Sequence, residues 1–340
     1  MQAALYDPPD GYYRRRRIRQ GRAGDYRTAP ETSPLFGAVF AHYFMKSYFD
    51  LGAPDEFAII EVGAAAGDCA RAVLMTLQRE FPKVFNATRY LIDEISDDAR
   101  SRALTKLGEF KDRIQFRSLS EIESPLPHAI IFSNELLDAF PVNRVIGRNG
   151  TIRELRVGLN DEGEFAWIED ELSSDVAEYC ARVGLQLGEG QIYEVNLGAE
   201  EFISRAAQVI SEGLLITVDY GADRNVLLND PNRFQGTLRA FHQHHFVDDL
   251  LARPGAHDLT TTVDWTQIQE AGARSGLEIL RLQRLDEFLL GEGALDELGS
   301  TANDIYDPVE RLNLNAAARE LIMPNGMAAS FQVLVQRKIL

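Results

Sequence analysis

Cysteine is nearly absent from these 340 residues: Cys69 and Cys180 stand alone, in no metal-binding or disulfide spacing. That pattern excludes a disulfide framework and fits a reducing compartment, with the cytoplasm as the expectation. Long apolar runs are also missing. None approaches the roughly 20 residues that a membrane-spanning helix needs. The opening stretch "MQAALYDPPDGYYRRRR" has no secretory apolar core. Positive charge is scarce, 35 Lys and Arg against 52 Asp and Glu, for a formal net charge of −17. Such a field repels polyanions, so neither nucleic acid nor an anionic membrane is an expected partner. There is no fixed-period repeat and no low-complexity tract. What is present is ordinary globular composition, 45% hydrophobic and 26% charged. It suits one large domain with insertions, or two domains.

Residues 5–56 are dense in Tyr, Arg, Pro and Gly, then turn apolar-aromatic in "LFGAVFAHYFMKSYFDLG", which predicts a tight loop and one helix. From residue 57 apolar runs alternate with amphipathic stretches: strand "FAIIEV", helix 68–80, strand "RYLID", helix 97–108, a short strand "IQFRSL" and strand "HAIIFSN". This alternation predicts a parallel sheet wound by right-handed crossovers. After residue 140 the pattern changes. Asn149-Gly150 between β-like runs predicts a hairpin. Helices near 173–184 and 199–211 follow, and "GLLITVD" restores a buried strand. Residues 221–262 read as a long polar, His-rich insertion, and "GLEILRLQR" and "MAASFQVLVQRK" as the last two strands. The predicted architecture is an α/β core in two halves, 57–147 and 213–340. Segment 1–56 covers the active site, and a hairpin and helices are inserted at 148–212.

The turn "EVGAAAGDC" joins the first strand to the first helix and is the candidate cofactor loop, Gly63 to Gly67. A Walker-type phosphate loop wants Lys and then Ser or Thr after its last glycine, but Asp68 and Cys69 follow here. A dinucleotide fingerprint fails as well. Its second glycine would be Ala65 and its third Asp68, whose charge opposes a pyrophosphate at the helix start. S-adenosylmethionine has no phosphate and carries an ammonium and a sulfonium, so it calls for carboxylates. Glu61 lies two residues before Gly63, placed to orient the ligand's amino group or the loop amides. Asp93-Glu94 closes the second strand about thirty residues after Gly63, the span of one βαβ unit, where an acid can take both ribose hydroxyls. A close-packed strand–helix turn with no ligand is the plainer reading. The carboxylates on both sides favour the adenosyl cofactor.

"IIFSNELLDAFPVNR" sets Ser133, Asn134 and Glu135 at the carboxyl end of a central strand, the edge that lines the ligand crevice in wound sheets. Asn134 offers both a donor and an acceptor. Glu135 and Asp138 are three residues apart and would share a face on one helical turn, ended by Pro141. The competing reading is a solvated acidic helix start, which the helix dipole favours.

Several stretches together resemble one family, the MidA-like class I S-adenosylmethionine-dependent methyltransferases. They are "LYDPPDGYY", "GDYRTAPETSPLFG", "EVGAAAGD", "DEISDDAR", "SNELLDAFPV", "VDYG", "GTLRAFHQHHFVDDLLARPGAHDLTTTVDW" and "LDEFLLG", in family order across nearly the whole chain. The resemblance implies a Rossmann-like class I methyltransferase sheet, mostly parallel with an antiparallel last strand, and helices on both faces. The N-terminal segment and the insertions would form a substrate-side subdomain. It implies S-adenosyl-L-methionine as donor, bound by Glu61, Gly63, Ala65, Gly67, Glu94, Leu119 and Asn134. Catalysis would fall to Glu135, Asp138, Asn134 and His244, with no metal. The mitochondrial branch of the family suggests a protein arginine as acceptor. This sequence departs from the family by Ala65 in place of the middle loop glycine, where a Cβ faces the cofactor, and by Met327-Ala328 in place of Met-Gly.

Other features carry two readings each. Arg14 to Arg17 suggest nucleic acid, but the net charge and the lack of a spread basic face favour a solvated loop over the pocket. His242, His244 and His245 have no further ligand at zinc spacing. His244, the motif histidine, is a substrate-positioning group or proton acceptor on one reading and a structural residue on the other. Asp219 and Tyr220 end the fifth strand and could face the same crevice. Asp258, Thr260, Thr261 and Asp264 suit turn and capping roles. The function expected is methyl transfer to a protein arginine nitrogen. Transfer to a small-molecule or carrier-bound acceptor, and a catalytically idle scaffold, are the alternatives.

Overall fold

The computed structural model describes residues 1–14, 28–242, 245–304 and 308–339. They fall into two compact units, each interrupted in sequence by the other.

The first unit comprises Arg16–Leu136, Ile203–Tyr220 and Gly272–Leu340. Its seven-stranded sheet is built from β1 (Phe57–Val62), β2 (Thr88–Asp93), β3 (Ile114–Phe116), β4 (Leu126–Asn134), β5 (Ile210–Asp219), β6 (Glu278–Arg284) and β7 (Gln332–Lys338). Their spatial order is β6-β7-β5-β4-β1-β2-β3. From β3 across to β5 every pairing is parallel, and β7 runs antiparallel to both its neighbours. The expected mostly parallel class I methyltransferase sheet, with its antiparallel last strand, is present. All six residues of β1 are buried, as a strand covered on both faces requires.

Three helices set this frame. The helix α1 (Leu35–Asp50) sends Phe36, Phe40 and Phe44 into the core. The Phe40 ring lies 4.8 Å from that of Phe132 on β4 and 5.1 Å from that of Phe288. The helix α2 (Asp68–Glu80) starts from Gly67, whose φ of +80° suits a residue without Cβ, and buries Cys69, Ala70, Val73, Leu74 and Leu77. The helix α3 (Asp97–Lys106) is capped by Ser96, whose hydroxyl accepts from the Ala99 N–H, and carries Asp97 and Asp98 in its first turn. The helices Leu285–Gly291, Ala294–Asp304 and Pro308–Ile322 fill the chain between β6 and β7, a stretch for which the sequence reading named no helix.

The second unit comprises Met1–Arg15, Leu137–Phe202 and Gly221–Ala271. Segment 1–56 is therefore divided: its first residues belong here, and α1 is built into the first unit's core. A four-stranded antiparallel sheet runs in the order Phe165–Asp170, Thr151–Leu159, Asn143–Arg148, Ile192–Val195. Asn149 and Gly150, at φ +50° and +75°, make the predicted two-residue hairpin turn. Helix Ser174–Val183 lays Val176, Tyr179 and Cys180 on Val145, Tyr193 and Val195. The expected polar insertion 221–262 holds helix Arg224–Asn229 and a small sheet of His245–Val247, Arg239–His242 and Asp258–Thr260. His244 and Arg15 to Arg17 lie outside the described residues.

Candidate active site

The loop after β1 has three residues in the left-handed region: Gly63 at φ +76°, Ala65 at +49° and Gly67 at +80°. The Gly63 N–H donates to the Asp93 carbonyl at the end of β2 (2.8 Å), and Gly67 N–H closes a turn on Ala64 (2.8 Å). The Ala65 N–H donates to Glu94 Oε2 (2.8 Å), and Glu94 Oε1 accepts from the Ser96 N–H (2.8 Å). The protein's own carboxylate thus sits on a loop amide that a phosphate would otherwise need. Burial raises the Glu94 pKa, against the pull of these two N–H groups.

Glu61 plays a different part from the one expected. It is buried in β1 at 4% exposure and accepts the Tyr90 hydroxyl at 2.7 Å. Cys69 is its other partner, and burial pushes its pKa up to about 7. Holding the loop amide falls to Glu94 instead. The reason is the pleat: Tyr90 precedes the Glu61 partner Ile92 by two residues on β2, so both side chains share one face. Asp93 turns to the loop after β3. Its Oδ2 accepts from the Leu119 N–H (2.7 Å) and from the Ser118 hydroxyl (3.3 Å). Lys106 closes an ion pair with Asp68 at the start of α2, at 2.6 Å.

The loop after β4 continues the sheet for one residue, through the Glu135 N–H to the Val218 carbonyl (2.9 Å). Glu135 then takes φ +51°, a conformation that costs an L-residue about 1–2 kcal/mol. Its Oε1 accepts from Asn134 Nδ2 (3.1 Å) and from the Ala29 N–H (3.3 Å). The Leu136 N–H donates to Asp219 Oδ2 (3.2 Å), and Asp219 Oδ1 accepts from the Tyr220 N–H (2.9 Å). Asn134 Oδ1 is enclosed and has no hydrogen-bond partner among the described residues. A buried acceptor of that kind is uncommon and marks a place for a donor from outside the chain.

Glu135 and Asp138 do not share a helical face. The helical turn is a short 3₁₀ segment, Leu137–Ala139, and the left-handed Glu135 precedes it. Asp138 is buried in the second unit. There the turn is pinned through its carbonyls. Asn196 Nδ2 donates to Leu137 (2.9 Å), the Thr261 N–H to Asp138 (2.9 Å) and the Tyr6 hydroxyl to Ala139 (2.9 Å). Asp258 accepts from the Tyr13 hydroxyl (2.7 Å), so the "LYDPPDGYY" motif is tied to the "DLTTTVDW" motif. Asp264 caps Thr266 through Oδ1 (2.9 Å), and its Oδ2 takes Arg224 Nε (3.0 Å).

Sequence reasoning singled out the loop glycines, Glu94, Leu119, Asn134 and Glu135, and all of these lie at the carboxyl ends of β1 to β4 in the first unit. It missed Tyr90, Asp93's grip on Leu119, and Asp219's grip on Leu136. The first was legible only as an aromatic on a buried strand. The others depend on strand order, which a single strand's residues do not reveal.

These features define a nucleoside-cofactor sheet with acid-lined loops. The family model of S-adenosyl-L-methionine-dependent methyltransferases matches residues 39–283, and the chain belongs to this MidA-like family. The protein arginine methyltransferase NDUFAF7 homolog, mitochondrial, of Drosophila melanogaster is 24% identical over 306 residues, 81% of this chain and 66% of that protein. Human protein arginine methyltransferase NDUFAF7, mitochondrial, is 24% identical, over 97% of this chain and 77% of that protein. The chain thus spans about two thirds of the fly protein's length. A crystal structure of a COG1565 superfamily member from Burkholderia thailandensis, bound to S-adenosyl-homocysteine, superposes with a TM-score of 0.86 at 26% identity. It covers 98% of this chain and 85% of that one.

Proposed function

We propose that this chain transfers a methyl group from S-adenosyl-L-methionine to a nitrogen of a protein arginine side chain. The observation that carries the reading is the pair Asn134–Glu135. A carboxylate held in a strained left-handed conformation adjoins an enclosed amide oxygen with no partner among the described residues. Strain of this sort clusters at functional sites. The chain's residues also fit the donor. The Glu94 carboxylate holds the Ala65 N–H of the loop after β1, and Asp93 holds the loop after β3, which suits a cationic ligand and opposes a phosphate. The relatives named as protein arginine methyltransferases support the choice of acceptor.

When bound, the donor supplies a methyl group on a sulfonium, open to displacement by a nitrogen lone pair. The chain's task is then to hold the acceptor in line and to give it a usable lone pair. A guanidinium keeps its proton in water, and its charge is spread over three nitrogens. Glu135, accepting from two of its N–H groups, would draw that charge toward them and leave the third nitrogen richer in electrons. Asn134 Oδ1 would accept a further N–H and fix the plane. The family motif also nominates Asp138 and His244 for the transfer, as an acidic group and a proton acceptor. Asp219 keeps the Glu135 loop in place through the Leu136 amide.

Glu135→Gln tests the assignment. It keeps the shape and the acceptor for Ala29 but loses the charge. Binding of S-adenosyl-homocysteine by calorimetry should stay within about twofold, while transfer to arginine-containing protein falls by at least roughly a hundredfold. Normal turnover by this variant would remove Glu135 from catalysis. Equal turnover on a small-molecule acceptor, with none on arginine, would favour the small-molecule alternative.

A further inference from the structure

Arg205 sits near the end of helix Leu197–Val209, outside every motif that the sequence singled out. Its guanidinium makes four hydrogen bonds, all to backbone carbonyls of one loop. Nε and Nη2 donate to Leu119 (3.2 and 3.1 Å), and Nη2 also donates to Ser120 (3.3 Å) and Ile122 (2.5 Å). The other side of the loop is held by Asp93, through the Leu119 N–H and the Ser118 hydroxyl. Leu119 is thereby fixed at both its backbone groups, the N–H by a carboxylate and the carbonyl by a guanidinium. A Ser118–Glu121 capping box tightens the loop further, with the Ser118 N–H on Glu121 Oε2 at 2.9 Å.

Strand order says what this loop faces. β1, β2 and β3 are consecutive neighbours, and all are parallel. The tip of β1 offers the left-handed loop, and the tip of β2 offers Glu94. A nucleoside laid across these tips, with its ribose at Glu94, carries its base on to the next tip, the loop Ser118–Ile122 after β3. Base recognition by a loop needs the backbone to be placed within about 0.5 Å, which a loop alone does not achieve. A planar, permanently charged fork that spans three carbonyls does this. Lys offers a single point charge on a flexible stem.

We propose that Arg205 is a positioning residue for the adenine end of the cofactor site, acting through the Leu119 loop rather than by touching the donor. The proposal rests on the methyltransferase reading above. It accounts for a guanidinium spent wholly on carbonyls in a chain with abundant carboxylates.

The test uses the full chain and calorimetry with two probes: S-adenosyl-homocysteine, and its deaminated analogue with hypoxanthine in place of adenine. Wild type should bind the first and discriminate against the second. Arg205→Gln should weaken S-adenosyl-homocysteine by roughly tenfold or more, about the worth of one charge-assisted hydrogen bond, and should compress the ratio between the two probes. Arg205→Lys should fall between them, and it carries the test if the Gln variant does not fold. A purely structural role would lower the melting temperature and weaken both probes alike. An unchanged ratio in a folded variant therefore overturns the proposal. Failure of wild type to bind either probe would overturn the cofactor reading itself, and this proposal with it.

Discussion

At the scale of single residues, the loop after β1 carries its meaning in backbone conformation as much as in side chains. Gly63 and Gly67 occupy the left-handed region at no steric cost, but Ala65 occupies it with a Cβ, at φ +49°. The Glu94 carboxylate on its N–H is the compensation visible in the structure. Ala65→Gly should therefore keep that bond and relieve the strain. We expect about 1 kcal/mol of added stability in urea unfolding, less whatever the freer unfolded chain takes back. A loss of stability would mean that the methyl group packs usefully and that the conformation is not strained. Ala65 was readable from sequence as a departure from the family glycine. That a carboxylate would hold its amide was not, because Glu94 comes 29 residues later, across a strand pairing.

At the scale of elements, the sequence was clearest where one physical demand acted alone. The strands β1, β4 and β5 are covered on both faces, so their apolar runs stand out, and the Asn149-Gly150 turn follows from local backbone sterics. The helices between β6 and β7 were missed, and so were strands Phe165–Asp170 and Ile192–Val195. Their residues are mixed in polarity, and tertiary partners decide their form. The Glu135–Asp138 helical face failed for a similar reason. A three-residue spacing implies a shared face only if the helix has already begun. β7 hides a further surprise. Gln336 is fully buried between β5 and β6, and neither amide atom has a partner among the described residues. A Cβ on Gly272 would lie 1.8 Å from its nitrogen, so the amide is closely packed as well. Gln336→Met keeps the length and removes the polar atoms. It should raise stability by about 1–2 kcal/mol, read as a higher denaturation midpoint at unchanged slope. A lower midpoint would reveal a partner for that amide, such as an enclosed water.

At the scale of the whole molecule, acidity shapes stability as well as partner choice. Glu61 is a buried acid whose pKa is raised by burial from 4.5 to about 7, against the hydrogen bonds from Tyr90 and Cys69 that pull it down. A raised carboxyl favours the folded state in its protonated form. Its contribution is complete below about pH 4.5 and is lost as pH climbs through 7, about 3 kcal/mol across that window by linkage. His42 works in the same direction. The carboxylates of Glu297 and Glu80, 3.5 and 3.1 Å from its Nε2, raise its pKa above 6.5, and this pairing fades as it deprotonates. Depressed carboxylates such as Glu154 act the other way, but their contribution is complete above pH 4.5 and adds no slope near neutrality. Stability should therefore decline from about pH 5 to pH 8, on top of the growing self-repulsion of a chain already at −17. Glu61→Gln isolates the main part of this decline. The amide carbonyl still accepts the Tyr90 hydroxyl, and no charge has to be buried. Urea unfolding at about pH 5, 6, 7 and 8 should show the variant nearly level with wild type at the acid end and clearly more stable at the alkaline end. Parallel declines in the two proteins would mean that Glu61 is ionised or neutral throughout, and that the slope originates elsewhere, with His42 the next residue to replace.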